Sequence, residues 1–186
     1  MAAVRLTLVR HGEAAAGWGD DPDPGLSDVG KAQAQAMAAA LAPFGPQPVL
    51  VSPLRRTRET AAPLEVTWDV RALVEPAVGE IVAPARAAGL EARSAWLRTA
   101  MGGRWSELDE EHHAWRDGVV DALVALDTDT VVVTHFVAIN VAVGAATGDD
   151  RVMVFSPGHC SRTTLEVDDG RLRLVEVGAS AATEVL

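Results

Sequence analysis

Residues 130–146 read TVVVTHFVAINVAVGAA, and this stretch decides the fold. Thr130 to Thr134 are all β-branched, which suits a buried strand. After His135, the apolar run from Val137 to Ala146 predicts a helix. A strand running straight into a helix is half of a βαβ unit, and the same alternation recurs upstream. Val4 to Val9 (VRLTLV) reads as a first strand. Ser27, with Asp28 in the first turn, predicts the N-cap of an Ala-rich helix ending near Pro43. Residues 48–51 (PVLV) read as a second strand. Ser52-Pro53 predicts a helix start, Ser at the cap and Pro at the first position, with the helix carrying Leu54 to about Ala62. A short third strand is expected around Val66 to Trp68.

From Pro84 to Leu126 the pattern is helical, with a break at Gly102-Gly103. The tail holds two strand candidates, Ser161–Val167 and Arg171–Val177, joined by the hairpin signal Asp168-Asp169-Gly170. The prediction is an α/β fold. Residues 1–186 form a single-domain sandwich with a mainly parallel central sheet, flanking helices and a C-terminal antiparallel edge strand. Residues 83–126 are expected to form a helical cover over the substrate.

Composition narrows the function. Sixteen Lys and Arg against 26 Asp and Glu give a formal net charge of −10, which repels a nucleic-acid backbone. A phosphate site in such a chain must be a local concentration of positive charge. The start, MAAVRLTLVRHGE, lacks the basic segment and long apolar core of a secretory signal. No stretch reaches the roughly 18–20 apolar residues of a membrane span. Cys160 is the single cysteine, which excludes an intrachain disulfide and a Cys-rich metal site. A cytoplasmic protein is expected, without membrane or nucleic-acid partners. No feature sets an oligomeric state.

In an open parallel sheet, ligands gather at the carboxyl ends of the strands. The first strand ends in Arg10-His11-Gly12-Glu13, the second in Ser52-Pro53-Leu54-Arg55-Arg56, and the strand at 130–134 in Thr134-His135. Histidines and arginines thus converge on one sheet edge. A neutral imidazole can attack phosphorus to give a phosphohistidine that water hydrolyses. Nearby arginine charges keep it neutral. Guanidinium groups grip phosphate oxygens and offset transition-state charge. The helix N-terminus after His135 offers backbone N–H groups, beginning with Phe136, to the same oxygens.

These residues resemble the histidine phosphatase superfamily, which includes the cofactor-dependent phosphoglycerate mutases. Arg10-His11-Gly12-Glu13 looks like its signature, and Leu26-Ser27-Asp28-Val29-Gly30-Lys31-Ala32-Gln33-Ala34 is similar to the segment that follows. Ser52-Pro53-Leu54-Arg55-Arg56-Thr57-Arg58-Glu59-Thr60 matches the second arginine motif. Leu73-Val74-Glu75, with Gly79 four residues on, resembles the proton-donor segment, and Val131 to His135 the strand before the second histidine. The resemblance implies that His11 is the nucleophile, that Arg10, Arg56 and His135 bind the phosphoryl group, and that Glu75 protonates the leaving oxygen. It implies no metal and no cofactor. The partners it implies are a small phosphorylated substrate and inorganic phosphate as product.

The chain departs from the family in places. Phe136 stands where Gly is usual, so that its ring is expected to narrow or cap the pocket. Ala14-Ala15-Ala16-Gly17-Trp18 lacks the usual phosphate-binding Asn, and Glu80-Ile81-Val82 replaces a common Trp-Glu-Gly continuation. Glu80 and Glu13 therefore stand beside Glu75 as candidate acids. The short interval between Glu75 and His135 favours hydrolysis over mutase transfer; a non-catalytic phospholigand-binding protein is the third reading. Arg55 and Arg58 read as solvated, and His112-His113 as a solvated helix face rather than a metal site. Cys160 reads as a small buried residue, and Trp96, Trp105 and Trp115 as core with some roofing the site. Specificity is expected in residues 83–116 and in the loop 14–25.

Overall fold

A computed structural model describes residues 3–17 and 21–181. Eleven main elements follow one another: β1 (Val4–Arg10), α1 (Asp28–Leu41), β2 (Val49–Val51), α2 (Arg55–Trp68), β3 (Leu73–Val74), α3 (Leu90–Met101), α4 (Glu110–Val124), β4 (Thr130–Thr134), α5 (Phe136–Thr147), β5 (Arg162–Asp168) and β6 (Arg171–Glu176). They form a single α/β domain around one six-stranded sheet of order β3-β2-β4-β1-β5-β6. The first four strands of that order are parallel, while β5 and β6 are antiparallel. A mainly parallel sheet with a C-terminal antiparallel edge is the predicted fold.

All five residues of β4 are buried, because helices cover both faces of the sheet. Val131 and Val133 pack with Val9, Leu41, Leu64 and Trp68 under α1 and α2. Val132 packs with Leu6, Leu8, Leu123 and Ile139 under α4 and α5. Each such buried side chain contributes about 1.5–3 kcal/mol of transfer free energy. At the hairpin, Asp169 and Gly170 both take left-handed backbone, φ 49° and 69°, as a two-residue turn between twisted strands requires.

Two expectations fail for identifiable reasons. Val66 to Trp68 is not a strand but the last turn of α2, which continues through Pro63. Burial of Leu64 and Trp68 outweighs the roughly 3 kcal/mol that an interior proline costs. The third strand is instead Leu73–Val74. Ser52 does not cap α2, whose flanking residue is Leu54, because its hydroxyl is engaged at the site described below. The 84–126 stretch resolves into α3 and α4, separated at Gly102-Gly103 as expected. Within the loop 14–25, Trp18, Gly19 and Asp20 lie outside the described residues.

Candidate active site

β1 and β4 are neighbours in register, with Arg10 opposite Thr134, so the residues that follow them emerge side by side. The ring centroids of His11 and His135 lie 5.2 Å apart in an edge arrangement. Both histidines are buried. Nδ1 of His11 lies 2.7 Å from the carbonyl oxygen of Gly12, which can only accept. That contact places the ring proton on Nδ1 and leaves a lone pair on Nε2. Arg56 Nε donates to that Nε2 across 3.3 Å.

Short bonds hold the loop after His11. Gly12 N–H donates to the Thr60 hydroxyl, which donates to the Arg56 carbonyl, so the loop and the arginine helix are tied together. A Cβ on Gly12 would meet the Gly30 carbonyl oxygen at 2.7 Å, so only glycine allows this approach to α1. Ser27 caps α1 as expected, accepting from Gly30 N–H, while its hydroxyl donates to Glu13.

His135 is held by Ser52, the residue that follows the second strand and that local sequence predicts as a helix cap. Ser52 Oγ lies 2.6 Å from His135 Nε2 and 3.0 Å from Thr57 Oγ1. His135 Nδ1 is buried without a hydrogen-bond partner among the described residues, and so is Nε of Arg10. Arg10 is anchored through Nη1 to the carbonyl of Pro157. The Phe136 ring is buried, with the Arg10 guanidinium 5.1 Å from its centroid, a cation–π support.

Burial, the neighbouring arginines and other histidines hold both His11 and His135 well below the ordinary histidine range. A third histidine, His159, which the sequence reading did not single out, lies 6.0 Å from His11 between ring centroids. Burial and then Arg10 push it down to about 4. It is placed there because β5 runs antiparallel to β1, with Val9 opposite Arg162, so residues just before β5 fall at the end of β1. No motif surrounds His159; only the hairpin's return onto β1 could have pointed to it.

The three candidate acids differ. Glu75 Oε1 accepts from Ala77 N–H in its own turn, 2.9 Å away. Glu13 accepts from Ser27. Glu80 accepts from Ile81 N–H at 3.0 Å and, more weakly, from Val137 N–H of α5 at 3.4 Å. Burial pushes the Glu80 carboxyl up to about 7, against the opposing pull of those N–H groups, Arg56 and Arg10.

Beside Arg56 and Glu80 opens a cavity of about 270 Å³, lined also by Leu54, Ile81, Trp96 and Leu97. Trp105 and Trp115 stack in or against the core, whereas Trp96 faces the cavity and stacks on His112, 4.7 Å between centroids. His112 is not on a solvated face: it is buried, and its Nε2 bonds the Val82 carbonyl. His113, half-buried, bonds the Trp105 carbonyl. Asp109, Glu111 and His112 lie close together, but Asp109 is paired with Arg86. Arg55 and Arg58 are exposed, and Arg55 pairs with Glu59. Cys160 is half-buried, its thiol pushed up to about 12, chiefly by burial. Among the described residues, no helix is long and apolar enough to cross a membrane.

Comparison with known proteins agrees with this fold. An uncharacterized Mycobacterium tuberculosis protein is 35% identical over an alignment of 117 positions that covers 56% of this chain and 58% of that protein. A mycobacterial glucosyl-3-phosphoglycerate phosphatase has the same fold, with a TM-score of 0.74 at 24% identity over 96% of this chain and all of that one. So does a phosphoserine phosphatase from Entamoeba histolytica, with a TM-score of 0.74 at 19% identity over 96% and 98% of the two chains. The model of the histidine phosphatase superfamily (branch 1) matches residues 6–180, and the chain belongs to that superfamily.

Proposed function

We propose that this protein hydrolyses small phosphomonoesters through a phosphohistidine on His11. The observation that carries the reading is the His11 ring itself: Nδ1–H is given to Gly12 and the Nε2 lone pair is directed toward Arg56. Nε2 attacks phosphorus, the bond to the leaving oxygen breaks, and water then cleaves the phosphorus–nitrogen bond to release inorganic phosphate. The suppressed basicity of His11 supports this role, since a protonated imidazole has no lone pair to offer.

Arg10, Arg56 and His135 bind the phosphoryl oxygens. Leaving Arg10 Nε and His135 Nδ1 buried and unpaired costs about 1–3 kcal/mol each, and a phosphoryl oxygen repays it. Phe136 contributes its backbone N–H at the start of α5. The alcohol portion of the substrate occupies the cavity beside Arg56, under the 83–126 cover.

The test is phosphate release from p-nitrophenyl phosphate with EDTA present, for wild type and His11→Ala. Activity that survives chelation and falls at least about a thousandfold in the variant is the expected result. An inactive wild type that turns over only with a bisphosphorylated primer would make it a mutase. Phosphate-dependent thermal stabilisation without turnover would make it a binding protein.

A further inference from the structure

We infer that Glu80, rather than Glu75, is the acid that protonates the leaving oxygen, and that it does so from the wall shared by the Arg56 pocket and the adjoining cavity. The inference rests on the phosphatase reading above. A proton donor must face the bond that breaks, so it has to lie between the phosphate cradle and the space that holds the alcohol. Glu80 lines the cavity together with Arg56, and it is near enough for its charge to act on both Arg56 and Arg10. The charges acting on Arg10, His11, Arg56 and His135 come from Glu80, Asp23, Cys160, His159 and one another, and Glu75 is not among them.

The carboxyl is also held in place. Thr134, the last residue of β4, donates its hydroxyl to the Val78 carbonyl at 2.6 Å, which ties the segment carrying Glu80 to the strand that carries His135. Ile81 N–H and Val137 N–H orient the two carboxyl oxygens. Arg10 of β1, Arg56 of α2 and the Val137 N–H of α5 face the group. Asp23 lies 4.0 Å from Arg56, and Arg93 of α3 lines the same cavity. By contrast Glu75 is folded back on the Ala77 N–H, and Glu13 is engaged with Ser27 and does not line the cavity. Burial keeps a proton on Glu80 to about pH 7, as an acid working near neutrality requires.

The step balances. As His11 Nε2 bonds to phosphorus and the phosphorus–oxygen bond breaks, the Glu80 proton passes to the departing oxygen and an alcohol leaves. The resulting Glu80 carboxylate then takes a proton from the water that attacks the phosphohistidine. Phosphate departs with His11 neutral and Glu80 protonated again.

The experiment measures kcat/KM for two substrates, p-nitrophenyl phosphate, whose anion leaves without a proton, and n-butyl phosphate, whose alkoxide does not. Wild type, Glu80→Gln, Glu75→Gln and His11→Ala are compared, with thermal unfolding of each. Glu80→Gln is expected to lose about 10²–10⁴-fold on butyl phosphate and less than about tenfold on p-nitrophenyl phosphate. Glu75→Gln is expected to change both substrates by one common factor. As a second measurement, kcat/KM of wild type on butyl phosphate falls as pH rises past about 7, and this fall is missing in Glu80→Gln. A selective loss in Glu75→Gln, or an equal loss on both substrates in a folded Glu80→Gln, overturns the assignment. An active His11→Ala overturns the phosphatase reading itself, so the two failures are distinguishable.

Discussion

The ends of β1, β2 and β4 and the wall of the adjoining cavity are built on different terms. At the strand ends the polar side chains are held by hydrogen bonds: His11 to the neighbouring Gly12 and to Arg56 of α2, His135 to Ser52, Arg10 to Pro157. Along that wall Ile81, Trp96 and Leu97 present apolar surface to the cavity, and polar ties such as His112 to Val82 and Arg86 to Asp109 hold the segment itself. The phosphoryl group has one shape and charge in every substrate, so its cradle gains from rigid, preorganised donors. An alcohol varies, and apolar contact accepts many shapes at a modest cost per group. Under the proposed function, the strand ends define the chemistry and the cavity wall selects the substrate.

That separation can be broken by mutation. Arg56→Ala should lower kcat/KM on p-nitrophenyl phosphate by about 10²–10³-fold, and Arg56→Lys should restore little, because a point charge does not replace a planar fork. Steady-state kinetics on both variants check this. Ser52→Ala leaves His135 Nε2 buried without its partner and should cost about 1–3 kcal/mol of stability, read by urea unfolding, along with a loss of phosphate affinity. In the cover, Leu97→Ala should alter KM for bulky alcohols while kcat on p-nitrophenyl phosphate stays within about threefold. A larger drop in kcat there than in Arg56→Ala would erase the distinction between the two regions.

The smallest expected effect is on pH dependence, and it sharpens the same contrast. His11 and His135 stay neutral when folded but titrate near pH 6.5 in the unfolded chain. Unfolding therefore takes up protons below about pH 6.5, and the stability present above that pH is lost on acidification. The slope is at most about 1.4 kcal/mol per pH unit for each histidine. Glu80 acts in the opposite sense, since its raised value favours the folded state at low pH and this contribution fades between about pH 4.5 and about 7. Urea unfolding between pH 5 and 8 should show a shallower acid limb in His135→Gln than in wild type.

Much of the molecule was legible in local patterns. The Ser27 cap, the TVVVT strand, the Asp169-Gly170 turn and the break at Gly102-Gly103 each depend on neighbours in the chain, so residue identity and spacing suffice to read them. The convergence of Arg10, His11, Arg56 and His135 was legible too, because parallel strands put their carboxyl ends on one edge. Other features were decided only by tertiary structure. Packing carried α2 through Pro63, where local preference predicts a stop. The antiparallel return of β5 brought His159 beside His11, and the β2–β4 pairing turned Ser52 from a cap into a partner of His135. The resemblance points to Glu75, whereas the fold turns Glu75 onto the Ala77 N–H and sets Glu80 beside Arg56 in the cavity wall. Caps and turns are settled within a few residues, whereas the electrostatic environment of a side chain is set by groups that lie far away along the chain.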